Sequence, residues 1–232
     1  MPEVIISGSE GRIEGRYHHS SNQNNPPVAL VLHPHPLHGG TMHNKVVYNV
    51  HHCFVKNNFS VLRMNFRGVG KSQGKFNNGI GELTDAATAL DWLQLHNPTA
   101  TSIWVAGFSF GSWVAMQLFM RRPEIESFVT ISPPVDRYDF SFLSSCPISG
   151  LIVQGDQDSV VSVDDVTNFA NKIPKQKNIK IDYKIIENAD HFYRIKMDEL
   201  NDSIDKYIKD KLENFKPVKA KIDKRRRQTQ PV

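Results

Sequence analysis

Apolar residues follow two patterns along the chain. Short runs rich in apolar and β-branched residues predict strands, most of them covered on both faces of a sheet; they occupy 28–33 (VALVLH), 59–66, 102–107, 127–132, 149–155 and 179–186. Apolar residues at helical spacing predict helices between them, over 42–54, 81–96, 109–122, 164–173 and 195–212. Strand and helix therefore alternate from residue 28 onward, which indicates a mostly parallel sheet with helices on both faces.

The first twenty residues have a different pattern. EVIISG and GRIEGRYHH are two short strand-like segments joined around Gly8–Gly11, so they predict an N-terminal β-hairpin. Together with the alternation that follows, this hairpin gives the expected fold class, an α/β protein with a mostly parallel sheet.

Composition narrows the class of protein. A length of 232 residues suits one α/β domain, and 39% hydrophobic with 22% charged residues is typical of a globular chain. We expect no membrane span and no secretory signal, and hence a cytoplasmic protein. Cys53 and Cys146 are too few for a disulfide scaffold and are expected to be buried thiols.

The positive charge is concentrated at the C-terminus. Residues 216–232 carry seven basic side chains and one aspartate, a net charge of +6, whereas the whole chain carries +4 and residues 1–215 therefore carry −2. A block of this kind is expected to be a disordered, solvated tail beyond a domain of residues 1–215. Contact between the tail and a nucleic acid, an acidic partner or an anionic membrane is a second interpretation.

The segment VAGFSFGSWV places Ser109 between Gly107 and Gly111 at a predicted strand-to-helix junction. A Gly-x-Ser-x-Gly turn in that context exposes the serine hydroxyl at the carboxyl edge of the sheet, beside the positive end of a helix. Ser109 is therefore the candidate nucleophile, although a helix-capping serine would match the same five residues. The Phe110 N–H is then one candidate donor to an oxyanion.

A serine nucleophile needs a base, and the base needs a carboxylate. His191 follows a strand late in the chain, in IIENADHFYR, and is the candidate base. GDQD, after an earlier strand, offers Asp156 and Asp158 as acids, and the order Ser, Asp, His is that expected for a hydrolase on such a sheet.

The second oxyanion donor is expected in the loop after the first buried strand, HPHPLHGGTM. Pro34 and Pro36 have no N–H, so the donor is predicted to be His35 or, as the alternative, Leu37.

HPHPLHGGTM, NFRGVGKSQG, GFSFGS, GDQD and DHF together resemble the small, lidless α/β-hydrolases of bacteria, over about residues 1–214. The resemblance implies an α/β-hydrolase fold and a triad with Ser109 as nucleophile, His191 as base and Asp158, the second aspartate, as acid. It implies no particular physiological substrate.

Within that class the sequence favours a carboxylesterase acting on small acyl esters, with no cofactor and a small-molecule acyl substrate as partner. The segment between the strands ending at Ser132 and starting at Ser149 is too short for a large lid. A thioesterase, a peptidase of the same fold, and a binding protein that retains the fold without catalysis are the alternatives.

Two further sets of residues have competing interpretations. Histidines at positions 33, 35, 38 and 43 suggest a metal site, but no acidic or cysteine ligand lies within their loop, so no metal is expected. Four aromatic residues could line an acyl pocket or belong to the core: Phe108, Phe110, Tyr138 and Phe140.

Overall fold

The computed structural model describes residues 2–21, 25–173 and 179–214, and the basic tail predicted for 216–232 lies outside them. The described residues form an eight-stranded sheet flanked by five α-helices and two short 3₁₀ helices. In chain order the elements are β1 Glu3–Gly8, β2 Gly11–His18, β3 Val28–Leu32, a 3₁₀ turn Pro36–His38, α1 Lys45–Lys56, β4 Ser60–Met64, α2 Ile80–Leu95, β5 Ile103–Phe108, α3 Phe110–Phe119, β6 Ser127–Ile131, a 3₁₀ turn Ser141–Ser145, β7 Ser149–Gly155, α4 Val163–Lys172, β8 Ile181–Ile186 and α5 Met197–Asn214.

The sheet has the strand order β1-β2-β4-β3-β5-β6-β7-β8. β1 and β2 form the predicted antiparallel hairpin, β2 pairs antiparallel with β4, and all pairings from β4 to β8 are parallel. The predicted fold class, an α/β-hydrolase fold with a mostly parallel sheet and an N-terminal hairpin, is confirmed.

Helices cover both faces of the sheet, and successive residues of each central strand point to opposite faces, so each strand contributes to a core on either side. In β3, Val28, Leu30 and Leu32 pack in a core with α2, α3 and α4. Ala29 and Val31 pack on the other side with α1 and α5. This explains why the central strands are continuous apolar runs in the sequence rather than alternating ones.

Helix α1 begins three residues later than its apolar spacing predicts. Asn44 caps it, since its side-chain oxygen accepts the N–H of Val46 at 2.9 Å and of Val47 at 3.4 Å. Met42 lies before the helix and is held instead by the Asn65 side chain, which accepts the Met42 N–H at 2.8 Å. Met42 fits the helical spacing of apolar residues but belongs to the loop before the helix.

The parallel strands place the loops after β3, β5, β7 and β8 at one edge of the sheet, the edge formed by their carboxyl ends. The connection from β6 to β7 contains only the 3₁₀ turn Ser141–Ser145, so no large lid lies between these strands. None of the described helices is long and apolar enough to cross a bilayer.

Candidate active site

Ser109 occupies a strained turn between β5 and α3. Its φ of 53° and ψ of −120° lie outside the regions favoured by residues with a side chain. The Ser109 N–H donates to the Ile131 carbonyl at 2.8 Å, which ties the turn to the end of β6. Its side chain is half-buried, and its hydroxyl has no hydrogen-bond partner among the residues that the structure describes. The turn therefore presents a polar group at the carboxyl edge of the sheet.

Both flanking glycines are required by close backbone contacts. A Cβ on Gly107 would lie 2.2 Å from the Gly111 carbonyl oxygen, and one on Gly111 would lie 2.5 Å from the Leu32 carbonyl oxygen. Ser112, fully buried in α3, supports the same turn, with its Oγ 2.8 Å from the Gly107 oxygen and 2.9 Å from the Ile131 oxygen. The Gly-x-Ser-x-Gly motif includes both glycines, but nothing in the sequence indicated the role of Ser112.

His191 and Asp158 form a buried pair at the same edge. The His191 Nδ1 lies 2.7 Å from Asp158 Oδ2, and the two side chains are 6% and 0% exposed. The His191 ring also packs against Phe108, the residue before Ser109, with ring centroids 5.0 Å apart. The structure thus brings His191 to Asp158 and to the end of β5, the residue before Ser109.

The environment of Asp158 stabilises its ionised form. Burial by itself would raise the pKa of this carboxyl group, but the hydrogen bond and charge of His191 and the N–H groups of Val161 and Val160 outweigh it and lower the pKa. Both N–H groups donate to Asp158 Oδ1 at 2.8 Å. A charged carboxylate is thereby held against the His191 ring.

Asp156, the other acid in GDQD, is held by different contacts. Its backbone N–H donates to the Ile186 carbonyl at 3.2 Å, which links the loop after β7 to the end of β8. Its Oδ1 is buried and has no partner within the described chain. Of the two aspartates, only Asp158 is hydrogen-bonded to His191 in the structure.

The three N–H groups predicted as oxyanion donors differ in whether they already donate a hydrogen bond within the protein. Phe110 opens α3, and its N–H donates to no other described residue. The same holds for the His35 N–H. The Leu37 N–H, by contrast, donates to His35 Nδ1 at 3.1 Å. The His35 ring packs against Phe110 with centroids 5.0 Å apart, so the loop after β3 meets the start of α3.

Buried polar contacts hold both ends of that loop. His33 Nδ1 donates to the Pro34 carbonyl at 2.6 Å, and His33 Nε2 accepts the Phe66 N–H at 3.0 Å. Burial lowers the pKa of His33 to about 3, so the ring is neutral. At the other end, Arg63 donates to the Met42 carbonyl at 2.8 Å.

The loop that carries His191 is anchored in a similar way. The Tyr193 hydroxyl lies 3.2 Å from Ser132 Oγ, and both residues have left-handed φ angles, 53° and 47°. Ser132 follows Ile131, the residue that accepts the Ser109 N–H. Sequence reasoning missed this link because its two residues are 61 positions apart.

Of the four aromatic residues considered for an acyl pocket, Phe108, Phe110 and Phe140 belong to the buried core. Tyr138 is half-buried and stacks on Trp113 with centroids 4.4 Å apart. Phe140 contributes to a cleft of about 530 Å³ between residues 135–144 and α4, which Ser109, Asp158 and His191 do not line.

The described residues contain no group of three or more histidine, cysteine, aspartate or glutamate side chains placed to hold a metal ion. His33 already uses both ring nitrogens in hydrogen bonds, and His35 Nδ1 accepts the Leu37 N–H. The rings of His33 and His35 therefore make hydrogen bonds that hold this loop.

The family model described as X-Pro dipeptidyl-peptidase (S15 family) matches residues 18–159. An uncharacterized protein of Rickettsia prowazekii is 58% identical over 212 residues, which cover 90% of this chain and 89% of that protein.

Solved structures agree in fold. A protein of unknown function from Agrobacterium tumefaciens, described as a candidate α/β hydrolase, is 50% identical with a TM-score of 0.88, over 92% of this chain and 97% of that chain. A protein from Xanthomonas campestris, described as an α/β serine hydrolase without a lid, is 28% identical with a TM-score of 0.81, over 90% of this chain and 94% of that one.

Proposed function

This chain belongs to the family described as X-Pro dipeptidyl-peptidase (S15 family) and is a lidless α/β hydrolase, and we propose that it acts as a carboxylesterase on small acyl esters. The observation that carries the proposal is the buried Asp158–His191 pair, 2.7 Å apart, at the sheet edge where the strained turn presents Ser109. These are the three groups that nucleophilic acyl transfer requires.

In the proposed reaction, Ser109 Oγ attacks the ester carbonyl carbon while His191 Nε2 takes its proton. Asp158 accepts the Nδ1–H of His191, which sets the tautomer and stabilises the imidazolium. The N–H groups of Phe110 and His35 donate to the oxyanion that forms. His191 then gives its proton to the departing alkoxide, which leaves an acyl group on Ser109.

The second half of the reaction uses the same groups. His191 takes a proton from water, the resulting hydroxide attacks the acyl carbonyl, and the carbon–oxygen bond to Ser109 breaks as His191 returns the proton to Oγ. The carboxylic acid is released and the enzyme is regenerated. We assign the second oxyanion contact to His35 rather than Leu37, because the Leu37 N–H donates to His35 Nδ1.

A peptidase is the second candidate, because the matching family carries that description. Esters are placed first because an alkoxide leaves more readily than an amine, so ester hydrolysis makes the smaller demand on the groups assigned here.

A direct comparison separates the two functions. Purified protein is assayed with p-nitrophenyl acetate and butyrate, with the matching acyl thioesters, and with Xaa-Pro p-nitroanilides, each beside the Ser109→Ala variant. We expect turnover of the oxygen esters that is lost in the variant. Anilide hydrolysis with a kcat/KM above that for the esters would show that the protein is a peptidase rather than an esterase. Activity unchanged in Ser109→Ala would show that the proposed active site is wrong.

A further inference from the structure

Gln154 is the penultimate residue of β7, and its side chain is fully buried beside Asp158, the proposed acid. Its Nε2 lies 3.0 Å from the Val161 carbonyl oxygen, 3.1 Å from Asp158 Oδ2 and 3.3 Å from the Gly155 carbonyl oxygen. All three neighbours are hydrogen-bond acceptors, so the orientation of the amide follows from its surroundings. Gln154 Oε1 is buried with no partner in the part of the chain described.

This arrangement leaves an acceptor unpaired, which is costly in a protein core. An apolar side chain of similar size would fill the same space without that cost. What the amide adds is a donor to Asp158 Oδ2, the same oxygen that accepts the His191 Nδ1–H. The other carboxylate oxygen is already occupied by two backbone N–H groups.

We propose that Gln154 is a positioning residue that sets the basicity of His191 through Asp158, an inference that rests on the proposed function. A hydrogen bond from the amide stabilises negative charge on Oδ2 and weakens the attraction of that oxygen for an imidazolium. His191 therefore stays neutral, and able to accept the Ser109 proton, to a lower pH than it would beside an aspartate without this donor.

The other charged and titratable groups on the neighbouring described segments do not hydrogen-bond the Asp158 carboxylate. Asp156 lies on the same loop and is bonded through its backbone to the last residue of β8. From the loop after β8, Asp190 pairs with Arg194, and Tyr193 is bonded to Ser132. Arg137, from the segment after β6, donates to the Val160 carbonyl at 2.8 Å.

The test replaces Gln154 by Met, which keeps the length of the side chain and removes the donor, with Gln154→Leu as a second variant. Gln157→Met is the matched control, because Gln157 lies on the surface of the same loop. NMR titration of the His191 ring reports its pKa without any substrate. The pH dependence of Ser109 labelling by a fluorophosphonate reports the base in action, and thermal unfolding reports the fold.

We expect Gln154→Met to move the NMR titration of the His191 ring to higher pH, and the acid limb of the labelling profile to move with it in the same direction. Gln157→Met should leave both unchanged. A loss of thermal stability or labelling rate in both Gln154 variants, with the His191 pKa and the acid limb unmoved, would overturn the proposal. If the pKa moves while Ser109 is not labelled at any pH, the link from Gln154 to His191 is supported and the proposed function fails.

Discussion

Asp158 is a fully buried carboxylate that accepts four hydrogen bonds. Two come from the backbone of its own loop, one from Gln154 and one from His191, so within the described ranges its charge is stabilised without an arginine or lysine contact. A carboxylate held in this way can orient His191 in the tautomer that leaves Nε2 free to accept a proton. Its role in the proposed reaction depends on hydrogen bonds from its own loop, from β7 and from the loop that carries His191.

The Asp158→Asn variant tests this role. The amide can donate to His191 Nδ1 and so favours the tautomer that cannot act as base. We expect kcat for an activated ester to fall by roughly 10⁴. Asp156→Asn is the matched control and should stay within a few fold of wild type, because Asp156 is not hydrogen-bonded to His191. The opposite ranking in steady-state assays would mean that the wrong aspartate was assigned.

At the scale of elements, the strands were predicted well because both faces of the sheet are covered, which makes each central strand a continuous apolar run. The ends of helices were predicted less well, since caps such as Asn44 and contacts such as that of Asn65 with Met42 come from polar groups rather than from periodicity. The hydrogen bond from the Leu37 N–H to His35 Nδ1 could not be predicted from the sequence either. Links across many residues, such as Tyr193 to Ser132, leave no local pattern at all.

Helix α1 carries a buried histidine that links stability to pH. Burial, together with the charge of Arg63, lowers the pKa of His51 to about 3, and its Nε2 has no partner among the described residues. In the unfolded chain the ring takes a proton below about pH 6.5, while in the folded protein it stays neutral. The folded state therefore loses stability as the pH falls from 6.5 toward 3.

The His51→Leu variant removes this titration. Between pH 7.5 and 5.5, we expect the free energy of unfolding to fall by about 1.4 kcal/mol less in the variant than in wild type. His52→Leu, at the exposed neighbouring position, should keep the wild-type pH dependence. Urea unfolding at the two pH values provides the measurement, and parallel behaviour of the two variants would contradict the assignment to His51.

At the scale of the whole molecule, α1 and α5 close one face of the sheet and α2, α3 and α4 close the other. The apolar side of α5 is already buried through Leu200, Ile204, Tyr207 and Ile208. The sequence beyond it, residues 216–232, carries a net charge of +6 and few apolar residues. The predicted domain of residues 1–215 should therefore fold without this segment.

Truncation after Phe215 tests that expectation. The thermal midpoint should change by at most a few degrees and kcat/KM for an ester should be nearly unchanged. Salt-sensitive retention on a polyanion column should be lost, because residues 1–215 carry a net charge of −2. Insoluble protein or a large fall in ester turnover would show that the tail packs on the domain or reaches the site.

The most direct test of the central claim, that Ser109 is a nucleophile activated by His191, is covalent labelling with a fluorophosphonate followed by intact-mass and peptide analysis. The account predicts one adduct per chain, located on Ser109, which is absent in Ser109→Ala and forms several orders of magnitude more slowly in His191→Ala. The probe does not depend on the identity of the natural substrate. Wild-type protein that stays unlabelled, or an adduct on another residue, would contradict the claim.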